Sequence, residues 1–147
     1  MMIPDEYFGA LSEIIERIPS KINWAIDGSL SLALQGIDLI PHDIDILTNS
    51  IGAYEIEKAL SDHVIKRISR SSNEKYESDF GVFKIRGVKI EVMGDLRVFR
   101  NGKWGPVQNP SSVRTTKINI GKLVVPVVLL DDQKKSGYFE ERTNRIK

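Results

Sequence analysis

The chain has 147 residues, 41% of them hydrophobic and 28% charged, which reads as an ordinary globular protein of one domain spanning residues 1–147. Its 21 basic and 20 acidic side chains leave a net charge of +1, so no global electrostatic attraction to nucleic acid is expected. Cysteine is absent and the only histidines are His42 and His63, which excludes disulfides and thiolate metal sites and leaves a histidine-based zinc centre in need of carboxylate help.

In chain order, Phe8, Leu11, Ile14, Ile15 and Ile18 recur at helical spacing over residues 5–18, and Pro19 stops the pattern. Residues 22–26 form a short apolar strand candidate, broken by Gly28-Ser29. A short helix follows over residues 30–35, closed by Gly36. After Pro41, residues 43–48 alternate polar and apolar as a half-buried strand does. Ser50 is placed to cap a helix running to about Leu60.

The second half turns toward β structure. Residues 63–68 are a strand candidate, and the polar run 70–78 reads as a loop. Strands over 79–85 and 88–93 flank a tight turn at Arg86-Gly87, and strands over 96–100 and 104–107 flank Asn101-Gly102. Strands over 113–120 and 123–130 flank Gly121-Lys122, with Pro126 demoting the second of them to a sheet edge or a strand end. Asp131 or Asp132 is placed to cap a final helix running to the C-terminus. The expected class is α+β, a mixed sheet flanked by helices.

No apolar run approaches the roughly 18 residues needed to span a bilayer. The first residues mix acidic with apolar side chains and lack the basic start of a signal peptide. A cytoplasmic protein without a membrane partner is expected.

The chemically informative stretch is residues 24–47. A strand running into Gly28-Ser29 as a helix opens offers backbone N–H groups, a close approach and a hydroxyl to a phosphate. Asp43 and Asp45, two apart on a strand, point their carboxylates to one sheet face while Ile44 and Ile46 enter the core. Carboxylates this close repel unless a cation sits between them, and Mg²⁺ prefers oxygen ligands shared with phosphates. Glu91, on the strand 88–93, joins them if that strand lies beside 43–47. The bland alternatives are a turn at Gly28-Ser29, two solvated aspartates, and a surface Glu91 paired with Lys84 or Lys89.

Gly28-Ser29, then Asp43-x-Asp45, then one acidic residue on a later strand resembles the DNA polymerase β-type nucleotidyltransferase superfamily. The segment 24–47 is most similar to its small minimal members and its aminoglycoside-adenylyltransferase-like branch. The resemblance implies a polymerase β-like fold and Mg²⁺-dependent transfer of a nucleoside monophosphate from an NTP to a hydroxyl acceptor. It implies Gly28 and Ser29 on the β- and γ-phosphates, and Asp43, Asp45 and Glu91 as catalytic ligands of two Mg²⁺ ions. The chain departs from the pattern in three ways: residues 31–35 lack a basic side chain, Asp27 precedes Gly28, and the third carboxylate is more often Asp, which leaves Asp95 as a rival to Glu91.

Several other side chains enter the expectations. Lys134, Lys135 and Arg142 could reach over a triphosphate from the last helix, and Lys135 is taken as the nucleotide-binding one. His42 abuts the acidic pair, as a loop residue or a phosphate contact. Trp24 is expected in packing and Trp104 at the surface. Around Trp104, Arg97, Arg100 and Lys103 form the only nucleic-acid patch the chain offers. The helical C-terminal domain of larger aminoglycoside adenylyltransferases has no counterpart here, so a second copy or a partner protein could complete the site. The alternative reading is a regulatory or non-catalytic nucleotide-binding module, such as one half of a toxin–antitoxin-type pair.

Overall fold

The computed structural model describes residues 3–135. Helix α1 (Asp5–Arg17) carries Asp5 and Glu6 in its first turn and Arg17 in its last, as the helix dipole favours. Its stripe of Tyr7, Ala10, Leu11 and Ile14 is buried. Strand β1 (Trp24–Asp27) runs directly into α2 (Gly28–Leu34). Strand β2 (Ile44–Thr48) leads to α3 (Ser50–Ala59). A 3₁₀ turn at Ser61–His63 opens the β-rich half. There follow β3 (Val64–Ser72), β4 (Tyr76–Ile85), β5 (Val88–Arg100) and the short β6 (Lys103–Trp104). The described part closes with β7 (Thr115–Ile120), β8 (Leu123–Val128) and α4 (Leu130–Lys135). Among the described residues no helix is long and apolar enough to cross a membrane.

The strands form one mixed sheet in the order β3-β4-β5-β2-β1-β8-β7, with β6 added to β5. The β2–β5 and β1–β8 pairs are parallel and the others antiparallel. Alternation then sorts the side chains. Ile26, Ile44, Ile46, Phe83, Ile90 and Val92 face a large core shared with α1 and α3. Helix α3 lies directly on β5: a Cβ at Gly94 would come within 2.8 Å of the Asn49 carbonyl oxygen and 3.0 Å of Ala53 Cβ. The opposite face carries a smaller cluster of Ala25, Leu47, Met93, Leu96, Val98 and Val128, with Tyr76 and Phe80 against it. Thin cover on that face leaves room for polar side chains between the strands.

Several boundaries differ from the sequence reading. Asn49, not Ser50, caps α3, its side chain accepting the Gly52 N–H at 2.7 Å. The polar run 70–78 is strand for most of its length, because β3 and β4 extend to a turn in which Asn73 Oδ1 accepts the Lys75 and Tyr76 N–H groups, each at 2.8 Å. Its polarity reflects an edge strand, exposed along most of its length. Pro126 does not mark an edge, since β8 lies between β1 and β7. The pairing of β8 with β1 is short, with Ile26 opposite Val127 just past the proline. Asp131 and Asp132 stand inside the first turn of α4. Asp132 accepts the Arg114 backbone N–H at 2.6 Å and its guanidinium at 2.8 Å, tying α4 to the approach to β7. Trp104 is half-buried, edge-on to Phe99 at a centroid distance of 5.3 Å.

One charged network ties α1 to the 3₁₀ turn. Arg17 donates to Asp62 at 2.6 Å and to Glu13 at 3.2 Å, and His63 Nε2 also contacts Glu13. Burial pushes the Glu13 carboxyl up, but hydrogen bonds from His63 and Arg17 outweigh it and hold the group below its ordinary 4.5. Arg17 likewise holds Asp62 below 3.8. Both carboxyl groups titrate lower in the folded chain than in the unfolded one. Their contribution is therefore complete above the unfolded values and is lost as pH falls through the folded ones. Urea unfolding should show Arg17→Met less stable than wild type at pH 7, with the gap closing as pH falls through the lowered folded-state values of Glu13 and Asp62. A gap that persists unchanged in acid would mean that the loss comes from packing of the arginine stem.

Candidate active site

The open face of the sheet owes its acidity to strand register. Strand β2 is flanked by β1 and β5, and the pairing sets Asp27 opposite Asp45 and Asp45 opposite Glu91. Directly opposed residues share a face, so these carboxyl groups form one row across the sheet. Asp43 stands just before β2 and, two residues from Asp45, points the same way. Asp43, Asp45 and Glu91 each offer a carboxylate oxygen within 4.8 Å of the others. Asp43 and Asp45 are buried, and Glu91 is half-buried. At such separations each like-charge pair costs about 3 kcal/mol at the effective dielectric near a protein surface.

A hard cation fits this group. Asp43 Oδ1 is a buried oxygen without a hydrogen-bond partner among the described residues, so it retains a lone pair for a ligand bond. The donors are carboxylate oxygens, the set that suits Mg²⁺ and Ca²⁺ and not a soft metal. Lys89 Nζ lies 3.8 Å from Glu91 Oε1, at the outer end of the row. The acidic field also reaches Tyr7 on α1. Its hydroxyl donates to the Pro41 carbonyl at 3.1 Å, and burial, then Asp43, then Glu6 and Asp45 push its pKa up to about 12. Tyr7 was not legible as a site neighbour, because its spacing matches ordinary core positions of a helix.

Asp95, the rival third carboxylate, does not join the group. It adopts φ 50°, and its Oδ1 accepts the Asn109 side-chain amide at 2.9 Å, tying β5 to the loop that follows β6. Lys135 is the last residue of α4, and its side chain, like all of Arg142, lies outside the described residues. Helix α4 itself is fastened to α2, since Gln133 Nε2 donates to Ser31 Oγ at 2.8 Å and Gln35 Oε1 accepts the Leu130 N–H at 2.8 Å. The Trp104 patch is partly spent internally: Arg97 lies 5.8 Å from the ring centroid and also donates to the Gly105 carbonyl.

On the other side of Asp45 from Glu91, the end of β1 turns into α2. Asp27, unexpected from its sequence position, caps that helix: its Oδ1 accepts the Gly28 N–H at 2.9 Å. The Gly28 N–H is therefore engaged by that carboxylate. Ser29 is buried, and its Oγ accepts the His42 backbone N–H at 3.2 Å, which leaves the hydroxyl proton to donate. The His42 side chain is exposed. Gly28 has φ +66°, and a Cβ there would lie 2.1 Å from Asp45 Oδ2. Gly28→Ala should lower stability by about 1–2 kcal/mol from the left-handed backbone alone. It should also displace the Asp45 carboxylate. Urea unfolding and Mg²⁺ titration check both effects, and wild-type values in each would show that the close approach is dispensable.

Comparison with known proteins extends these observations. The family model described as aminoglycoside-2''-adenylyltransferase matches residues 10–146. A crystal structure from Thermotoga maritima, of a protein put forward as a nucleotidyltransferase, superposes with a TM-score of 0.85 at 37% sequence identity, covering 98% of this chain and 90% of that one. No curated protein matches at a significant level. The mixed sheet with its flanking helices is thus the nucleotidyltransferase fold. With nearly its whole length matched, the chain belongs to the aminoglycoside-2''-adenylyltransferase family and is a nucleotidyltransferase.

Proposed function

We propose that the protein transfers a nucleoside monophosphate from an NTP to a hydroxyl acceptor with Mg²⁺ held by Asp43, Asp45 and Glu91. The observation that carries this reading is the convergence of those three carboxylates within 4.8 Å, next to the backbone of Gly28. Bound there, two Mg²⁺ ions would supply charge neutralisation for the triphosphate and for the phosphoryl oxygens during transfer. The chain's own part is positioning. Asp43 and Asp45 hold the nucleotide side and Glu91 the acceptor side. Gly28 allows the phosphates close to the row, and the Ser29 hydroxyl donates to a phosphate oxygen. Lys135, on the helix fastened to α2, is the cation proposed to meet the triphosphate tail. The family description makes an adenylyl donor the first candidate to assay and an aminoglycoside the reference against which other acceptors are compared.

Calorimetry with a non-hydrolysable ATP analogue should show binding that depends on Mg²⁺ and weakens by about tenfold or more in Asp43→Asn, which keeps the shape and removes a ligand charge. Equal affinity with and without the cation would count against the site.

Incubation with labelled NTPs and cell extract should move label to an acceptor, and the double change Asp43→Asn with Asp45→Asn should abolish it. Removing two mutually repelling carboxylates should leave the melting temperature unchanged or raised, so lost transfer cannot be ascribed to unfolding. Tight NTP binding by wild type without transfer to anything in extract would favour the regulatory-module reading, in which a partner chain completes the site.

A further inference from the structure

Beyond Glu91, on the side away from Gly28, the open face sinks into a cavity of about 460 Å³ over β3, β4 and β5. That volume suits a ligand of nucleotide size. Glu91, Lys66 and Lys89 are among the side chains that line it, with Tyr76 and Phe80 as its aromatic residues. The inference drawn from it rests on the nucleotidyl-transfer reading above. In-line displacement puts the attacking and leaving oxygens on opposite sides of the α-phosphorus. With the triphosphate toward Gly28, the acceptor arrives from the β5 side, where this cavity opens.

The lining speaks against a polycation. Lys66 and Lys89 bring two ammonium groups, and the single carboxylate, Glu91, belongs to the cation-binding row. An aminosugar carrying several ammonium groups would meet like charge there. A phosphate would meet complementary charge. Tyr76 and Phe80, both only partly buried, bring aromatic rings to the lining, and Lys66 lies over the Phe80 ring, 5.2 Å from its centroid, so that a base entering beside Phe80 would meet ring and ammonium together. We propose that the acceptor enters through this cavity and is a phosphorylated nucleoside, free or at the end of a single-stranded oligonucleotide, and not an aminoglycoside. Its hydroxyl oxygen forms the new bond to the α-phosphorus of the NTP. The bond from that phosphorus to the bridging oxygen breaks, pyrophosphate leaves with the electron pair, and the hydroxyl proton passes to solvent. The product is a phosphodiester.

The test is a titration of the protein saturated with Mg²⁺ and a non-hydrolysable ATP analogue. Adenosine monophosphate, a short oligoadenylate and kanamycin are added in separate calorimetric runs. The monophosphate or the oligoadenylate should bind, and the tighter of the two identifies the source of the acceptor. Lys66→Glu, at an exposed position, should weaken that binding by about tenfold or more and leave the analogue bound. Phe80→Leu, which keeps apolar volume and removes the ring, should weaken it by about fivefold. Binding of kanamycin alone, competition between monophosphate and analogue, or an unchanged affinity in Lys66→Glu overturns the acceptor assignment and leaves nucleotidyl transfer standing. A wild-type chain that does not bind the analogue overturns both.

Discussion

Like charge held on neighbouring strands is the constraint around which this molecule is arranged. Asp43 and Asp45 are buried, and Glu91 stands beside them on β5, with their oxygens within 4.8 Å. Mutual repulsion of about 3 kcal/mol per pair opposes that arrangement. The fold holds it because the same strands bury Ile44, Ile46, Ile90 and Val92 on their other face, each side chain contributing on the order of 1.5–3 kcal/mol. Apolar burial on one face of β2 and β5 thus sustains electrostatic stress on the other. A cation bound there, as proposed, would relieve that stress and so couple ligand binding to folding stability.

The two sides of the row are built differently. Toward β1 the parts are tied together: the Asp45 carboxylate fills the space a Cβ at Gly28 would need, Asp27 caps α2, and Ser31, Gln35 and Gln133 lock α2 to α4 and to the Val128 carbonyl. Toward β4 and β3 the surface is open, with a cavity, exposed lysines and partly covered rings. A rigid side suits what the proposed reaction would share at every turnover, the triphosphate and its metals. An open side suits the part that distinguishes one family member from another. Membership of the family therefore speaks to the chemistry at the row more directly than to the identity of the acceptor.

Buried polar groups reinforce this division. The Ser31 hydroxyl, at the middle of a short helix, looks unremarkable in sequence, yet it donates to the Val128 carbonyl and accepts from Gln35 and Gln133. Such a network is costly to leave half-satisfied, so it specifies one placement of α4 over α2. The helix that carries Lys135 is thereby anchored at its start, whatever its side chains reach.

Much of the carboxylate row was legible in the sequence because its determinants are local. The two-residue spacing of Asp43 and Asp45 places both carboxylates on one face through strand alternation, and the glycines after Arg86 and Asn101 mark their tight turns through positive φ. Helices α1 and α3 follow from apolar spacing, although Asn49 and not Ser50 supplies the cap. Tertiary structure alone decided what depends on distant pairing. Parallel register of β2 with β5 brings Glu91 to Asp45 and leaves Asp95, in a left-handed conformation, bonded to Asn109. Most of the polar run 70–78 is strand because β3 pairs with β4 at the sheet edge, where backbone hydrogen bonds stabilise residues whose side chains give no apolar pattern to read. The same pairing brings Lys66, Tyr76 and Phe80 into one cavity with Glu91. Strand partners are chosen by long-range burial and hydrogen bonding, and no local spacing encodes them.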